Sequence, residues 1–127
     1  MNMPMEAHMH GPVLTVVEDV WGAPFDELAA EVEVLREPDA WKDRDRLREL
    51  ASSAPAITVR NRTQVDAELL TGAPGLRVVL RAGVGLENID VRCADASGVV
   101  VVSPRDANAL SVAEHTVALA LALARDV

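Results

Sequence analysis

Short apolar runs alternate with amphipathic segments along the chain from residue 13 onward. Five runs rich in Val, Leu and Ile predict buried strands, because each is short and bounded by Gly, Pro or polar residues. The segments between them carry apolar residues at helical spacing. The predicted strands cover residues 13–17, 32–35, 56–60, 77–81 and 99–102, and the predicted helices cover 24–30, 39–52, 63–72, 90–98 and 111–125.

Local signals suggest where three of these helices begin. Asp39 is expected to cap the second helix, and Thr63-Gln-Val-Asp66 resembles a capping box. Ser111-Val-Ala-Glu114 is a full capping box and is expected to open the last helix. Strands that alternate with helices over short connections predict an α/β fold. We expect a flavodoxin-like parallel sheet of about five strands, with helices on both faces and a long C-terminal helix.

Composition narrows the class of protein. Half of the 127 residues are apolar, which favours a globular domain, and aromatic residues make up 2%. The formal charge of -8 leaves no basic face, so nucleic acid is not expected as a partner. The acidic excess lies in residues 1–50, whereas residues 51–127 are nearly balanced and all their bases are arginines. Cys93 is the single cysteine, which excludes an intrachain disulfide and a CxxC metal site.

Neither end of the chain predicts a targeting, membrane or metal role. Residues 1–11 are expected to form a flexible tail, and a metal site at His8 and His10 is improbable there. That segment lacks the basic and apolar regions of a signal peptide. The apolar run at residues 112–124 is too short to span a bilayer. We therefore expect a cytoplasmic protein with no metal and no membrane contact.

Ligands of parallel α/β sheets bind beyond the carboxyl ends of the strands, so the residues there are the candidates for chemistry. Glu18-Asp19 follows the first strand, as in a phosphoacceptor receiver domain. A receiver also needs an Asp after strand three and a Lys after strand five. Those places hold Arg60-Asn61 and Ser103-Pro104. We therefore expect Glu18-Asp19 to be a solvated loop pair.

Three further strand ends could hold an anion. Arg60 would direct a planar set of donors into the crevice, with solvation or an ion pair as the equal alternative, and Arg62 is expected to be solvated or paired. Gly83-Val84-Gly85 could turn backbone N–H groups outward, although an ordinary glycine turn is the simpler interpretation. It is not a GxGxxG loop, because Asn88 replaces the third glycine. Asn108 could reach the same crevice or bind its own loop.

Three segments together resemble the D-isomer-specific 2-hydroxyacid dehydrogenases of the phosphoglycerate dehydrogenase type. Residues 59–70 (VRNRTQVDAELL) are similar to the family's VRS-T-VDAELL, and residues 77–90 (RVVLRAGVGLENID) to its LKVVGRAGVGVDNID. Residues 98–116 resemble its GI-VVNAP-GNS-SVAEHT. The likeness covers about Val13 to Arg125, and it is weaker before Ala54. The three motifs occur in the family's order, and together they are specific for the family, although none of them alone would be.

The resemblance implies roles for individual residues. Arg60 would bind the carboxylate or phosphate of a 2-hydroxy or 2-oxo acid, and the backbone at Val84-Gly85 would hold the carboxylate. Val84 would also lie near the nicotinamide of NAD, and Asn108 would line the crevice. Asn61 replaces the family's usual Ser, which leaves any contact of that hydroxyl in doubt.

The resemblance also implies what the 127 residues do not contain. The family's Rossmann NAD domain, with its catalytic Arg, Glu and His, would follow the C-terminal crossover helix. Residues 12–127 are thus expected to be the substrate-binding domain of an NAD-dependent oxidoreductase, without catalytic residues and inactive alone. The expected partners are a homo-oligomer or the missing cofactor domain. The alternative is a free-standing flavodoxin-like module that binds a partner or a small carboxylate, and a GxGxxG sequence downstream in the gene would exclude it.

Overall fold

The computed structural model describes residues 12–125, so the expected tail and the His8 and His10 alternative lie outside the described residues. Strands and helices alternate in the described part of the chain. The strands are β1 (Leu14–Val16), β2 (Val34–Arg36), β3 (Ala56–Val59), β4 (Val78–Arg81) and β5 (Val100–Val102). The helices are α1 (Ala23–Ala29), α2 (Arg44–Ser53), α3 (Ala67–Thr71), α4 (Val91–Ala96) and α5 (Ala109–Arg125), with a 3₁₀ turn at Ala40–Lys42.

The five strands form one parallel sheet in the order β2-β1-β3-β4-β5. This is the strand order of flavodoxin-like folds, so the expected fold class is confirmed. The chain moves from β1 to β2 in one direction and from β3 to β5 in the other. Because such crossovers are right-handed, α1 lies on one face of the sheet and α2, α3 and α4 lie on the other.

The apolar core fills the space between the sheet and α2, α3 and α4. Side chains alternate along each strand, so Ile57 and Val59 of β3 share this face with Val79 of β4. All three are fully buried. The helices contribute the aliphatic residues of their inward faces, which are Leu47, Leu50, Ala51, Leu69, Leu70 and Ala94.

The opposite face becomes more exposed from β1 towards β5. Val16 of β1 is fully buried, Leu80 of β4 is half-buried, and Val100 and Val102 of β5 are exposed. Only α1 among α1–α4 lies on this face, next to β2. Within residues 12–125, the β5 end of the sheet therefore presents apolar side chains to solvent.

Three helix starts differ from the sequence expectation. Asp43, not Asp39, caps α2, because its carboxylate accepts the N–H groups of Asp45 and Arg46, both at 3.1 Å. Asp66, not Thr63, caps α3 by accepting the N–H of Leu69 at 3.0 Å. The α5 helix begins at Ala109, so the expected capping box at Ser111 lies inside the helix.

The α5 helix is exposed along its whole length. None of its side chains is buried, and its residues 117–124 are all apolar. Leu119, Leu121 and Leu123 are 52%, 61% and 83% exposed within the described part of the chain. Among residues 12–125, no helix is both long and apolar enough to cross a membrane.

Candidate functional site

The carboxyl ends of β1, β3 and β4 meet at one edge of the sheet. The strand order reverses between β1 and β3, which is where parallel α/β sheets open a crevice for ligands. Three loops leave the sheet at this edge: Glu18-Asp19 after β1, Arg60–Thr63 after β3, and Gly83–Gly85 after β4. The topology therefore brings the strand ends that carry Arg60 and Val84-Gly85 to the same edge of the sheet.

Arg60 is the residue directly after β3, and its exposed side chain lies between two clefts. One cleft, of about 390 Å³, is lined by Glu18, Asp39 and Trp41 in addition to Arg60. The other, of about 280 Å³, is shared with Ala82 beside the glycine loop. Within residues 12–125 the Arg60 guanidinium has no carboxylate partner. A planar cation at a strand end with its donors free is suited to a carboxylate or phosphate.

The other charged groups around Arg60 are already engaged. Asp19 accepts a hydrogen bond from Arg36 at 3.2 Å, and Asp39 pairs with Lys42 at 2.6 Å. Both pairs are exposed and therefore weak, but they partly neutralise Asp19 and Asp39, two of the three acids that line the cleft. The Arg62 guanidinium is exposed and lies over the Trp41 ring, 4.9 Å from its centroid.

Glu18 is not the solvated residue that the sequence suggested. Its side chain is buried, and its Oε1 accepts the backbone N–H groups of Arg60 at 2.8 Å, Arg62 at 3.1 Å and Thr63 at 2.8 Å. Burial raises the pKa of Glu18, but the N–H donors of Thr63, Arg60 and Arg62 outweigh burial and hold the pKa below its usual range. Asp19, by contrast, is exposed as expected.

The glycine loop after β4 is tight and has free donors. A Cβ on Gly83 would collide with the guanidinium of Arg81, which is itself buried, so a side chain is excluded there. The N–H of Gly83 donates to the carbonyl of Arg81 at 2.9 Å. The N–H groups of Val84 and Gly85 have no acceptor among residues 12–125. These two groups are the donors that an anion-binding loop needs.

Asn88 joins the glycine loop to the Arg60–Thr63 turn. Its buried Nδ2 donates to the carbonyls of Arg60 and Thr63, each at 2.8 Å. Its Oδ1 accepts from Nε of Arg81 at 3.4 Å. A short parallel bridge between Val65 and Ile89 adds backbone contacts between the same two segments.

The remaining expected residues lie apart from this group. Asn108 is exposed in the turn before α5, and its backbone carbonyl accepts the N–H of Val112 at 2.9 Å. It does not line either cleft that Arg60 lines. Among residues 12–125, no cluster of His, Cys, Asp and Glu could hold a metal ion.

The sequence interpretation missed Glu18 and Asn88 as parts of the site. An acid directly after a buried strand is a weak sign of a buried carboxylate, and it equally fits a solvated loop. Asn88 stands between Glu87 and Ile89 just after the glycine loop, which is at most a weak sign of a structural amide. Neither signal identifies the partners, because both side chains bind backbone groups more than 20 residues away along the chain.

The chain is similar to known proteins both in sequence and in structure. The chain is 44% identical over 116 residues to the D-3-phosphoglycerate dehydrogenase of Mycobacterium tuberculosis, which is 91% of this chain and 22% of that protein. The structure is similar to that of a protein from Pyrococcus horikoshii, with a TM-score of 0.77 and 25% identity over 91% of this chain and 34% of that one. It is also similar in fold to a D-lactate dehydrogenase from Aquifex aeolicus complexed with NAD and lactic acid, with a TM-score of 0.71 and 24% identity over 87% of this chain and 33% of that one.

The same comparisons show how much of such a protein these residues represent. The chain spans about a fifth of the length of the mycobacterial relative. Residues 13–125 match the family model described as D-isomer specific 2-hydroxyacid dehydrogenase, catalytic domain. Because this match covers most of the chain, the chain belongs to the D-isomer specific 2-hydroxyacid dehydrogenase family.

Proposed function

We propose that residues 12–127 are the substrate-binding domain of an NAD-dependent oxidoreductase that acts on the CH–OH group of D-2-hydroxy acids. The observation that supports this most directly is that Arg60 and the N–H groups of Val84 and Gly85 lie on neighbouring strand ends and have no acidic or acceptor partner among residues 12–125. A 2-hydroxy or 2-oxo acid carries its carboxylate next to the reacting carbon. Binding that carboxylate would therefore place the reacting carbon beside the loop.

Each residue has a distinct part in this proposal. The N–H groups of Val84 and Gly85 donate to the carboxylate of the acid. Arg60 donates to the same carboxylate or to a phosphate at the far end of the substrate. Asn108 is proposed to line the crevice when α5 and its preceding turn pack against further protein. No residue of this chain is proposed to move the hydroxyl proton.

NAD would accept the hydride from the substrate when it is bound, and Val84 is proposed to contact its nicotinamide end. The chain's own residues do not fit the rest of a dinucleotide. Asn88 replaces the third glycine of a phosphate-binding loop, and its side chain is fully used within the fold. At the start of the next helix, α4, the carboxylate of Asp90 accepts the N–H of Cys93. That carboxylate occupies the helix N-terminus, which is the place where a pyrophosphate would need to lie.

A cytoplasmic location and a homo-oligomer are part of the same proposal.

The test is a titration of the 15N-labelled chain with D-glycerate 3-phosphate and with D-lactate, followed by two-dimensional NMR. We expect the amide signals of Val84 and Gly85 to shift saturably, while amides at the opposite edge of the sheet stay in place. A similar shift with inorganic sulfate at the same ionic strength would show a general anion site. The absence of any shift at these two amides would overturn the proposal.

A further inference from the structure

The Arg60–Thr63 turn is held from two sides by buried side chains that come from other segments. On one side, Oε1 of Glu18 accepts three backbone N–H groups of the turn. On the other side, Nδ2 of Asn88 donates to two of its carbonyls. Glu18 and Asn88 are 2% and 4% exposed. Five backbone groups of one short turn are thus satisfied by two side chains, and we call Glu18 and Asn88 together the clamp.

The clamp fixes the backbone from which the Arg60 side chain extends. Arg60 itself contributes both its N–H, to Glu18, and its carbonyl, to Asn88, each at 2.8 Å. Its peptide planes can therefore rotate only if one of these part-buried hydrogen bonds breaks. The held backbone fixes the point and direction from which the long Arg60 side chain extends, and so limits the positions that its guanidinium can reach.

Asn88 extends the same constraint to the glycine loop. It lies three residues after Gly85, and its Oδ1 accepts from Arg81, the last residue of β4. The N–H of Val65 donates to the carbonyl of Asn88 at 2.8 Å, so backbone and side chain of Asn88 both bind the segment that follows β3. Asn88 thus links the loop that carries Val84 and Gly85 to the turn that carries Arg60, beside the backbone bridge between Val65 and Ile89.

We propose that Glu18 and Asn88 are positioning residues, which set the Arg60 side chain and the Val84-Gly85 N–H groups in register for one acid ligand. This inference rests on the proposed function, and it assigns neither residue a contact with the ligand. Glu18 acts through the turn after β3, and Asn88 acts through both loops. The ionised form of Glu18 is the one that can accept three N–H groups at a single oxygen.

The first experiment measures coupling to Arg60. Dissociation constants for D-glycerate 3-phosphate are measured by NMR titration for the wild-type chain, Glu18→Gln, Arg60→Ala and the double variant. We expect Arg60→Ala to weaken binding about tenfold or more in the wild-type chain. In the Glu18→Gln background the same change should weaken binding less than about threefold, since Arg60 is no longer held in place. An effect of Arg60→Ala that is equal in both backgrounds would overturn the clamp as a positioning device.

A second readout needs no ligand. Asn88→Ala should shift the amide signals of Arg60 to Thr63 and also those of Val84 and Gly85, whereas Glu18→Gln should shift mainly the first group. Glu31→Gln is the matched control for Glu18→Gln, because it removes the same charge at an exposed position. Gln64→Ala is the matched control for Asn88→Ala, because it removes an amide at an exposed position. Should Glu18→Gln fail to fold, Asn88→Ala is carried through the same cycle with Arg60→Ala. If the turn and the loop respond independently to Asn88→Ala, the coupling is wrong.

The two proposals fail in different ways. If the wild-type chain shows no binding, the proposed function is overturned, and the ligand-free amide shifts still decide whether the clamp joins the two loops. In a second case, the wild type binds and Arg60→Ala weakens binding, but Glu18→Gln and Asn88→Ala change neither the affinity nor the effect of Arg60→Ala. The proposed function then stands, and the clamp is wrong.

Discussion

At the scale of single residues, the arginines of this chain separate into engaged and unengaged groups. Arg44, Arg46 and Arg48 of α2 all pair with carboxylates, to Asp66, Glu37 and Glu68 respectively. Arg60 has the same chemistry and no such partner within residues 12–125. The chain has 20 acids and only 12 bases, so most arginines can find an acidic partner. An arginine at a strand end that pairs with no acid therefore indicates a ligand more strongly here than it would in a basic protein.

Substitution of Arg60 tests this distinction in a full-length enzyme that carries these motifs. A charge-assisted pair contributes about 1.5–3 kcal/mol, so Arg60→Ala should raise KM for the acid about ten- to a hundredfold. Arg62→Ala should do little, because its guanidinium lies over Trp41. Steady-state kinetics with the 2-oxo acid measures both. An unchanged KM for Arg60→Ala would make Arg60 an ordinary surface residue.

Glu18 predicts a specific dependence of stability on pH. Its pKa is lower in the folded chain than in the unfolded one, so it stabilises the fold above its unfolded pKa of about 4.3, and this contribution is lost as the pH falls through the folded pKa. The difference in unfolding free energy between wild type and Glu18→Gln should be constant between about pH 6 and 8 and should shrink below about pH 4. Urea unfolding followed by circular dichroism at several pH values measures it. A gap that does not change with pH, or an equal gap for Glu31→Gln, would contradict the assignment.

At the scale of elements, the sheet could be predicted, whereas the starts of α2, α3 and α5 could not. Each strand is a short apolar run whose burial is a local property, so residues 56–60 and 77–81 were predicted within one residue of β3 and β4. A helix start depends on which of several nearby caps the chain uses. Asp39 and Asp43 are equally good caps in the sequence, and packing of the 3₁₀ turn at Ala40–Lys42 decides for Asp43. The clamp was beyond sequence reasoning for the same reason, because its partners are set by strand order.

The correction at α2 is itself testable. Asp43→Ala should lower the free energy of unfolding by about 1 kcal/mol, since it removes the acceptor for two N–H groups of the first turn. Asp39→Ala removes an exposed pair with Lys42 and should change stability by less than about 0.5 kcal/mol. Thermal or urea unfolding of the two variants side by side gives the answer. If Asp39→Ala proved the more costly, the capping assignment would be wrong.

At the scale of the whole molecule, the sequence motifs supply the proposed acid site but no GxGxxG loop for the phosphates of a dinucleotide. We therefore expect the isolated chain to show no measurable dehydrogenase activity and negligible affinity for NAD. NADH oxidation with a panel of 2-oxo acids, followed at 340 nm, tests activity, and a titration with NAD tests binding. Turnover clearly above a control without protein, in a preparation free of host dehydrogenases, would overturn the expectation.

The exposed α5 helix leads to the last prediction, which concerns self-association. Leu119, Leu121 and Leu123 lie within two turns, and none of them is covered by other residues of the range 12–125. Val100 and Val102 add apolar surface at the β5 end of the sheet. Burial of one leucine is worth about 1.5–3 kcal/mol, so several exposed together favour association strongly. The purified chain should therefore be dimeric or larger.

Light scattering coupled to size-exclusion chromatography at several concentrations measures this directly. The variant Leu119→Glu, Leu121→Glu should shift the chain towards the monomer, since it places two charges on the surface that would be buried. Glu27→Gln and Glu31→Gln, at exposed positions in and just after α1, serve as the control and should leave the mass unchanged. A stable 13.6 kDa monomer of the wild-type chain that binds no dye specific for apolar surface would show that α5 folds back onto its own domain in solution. That result would favour a free-standing binding module over a domain that waits for a partner surface.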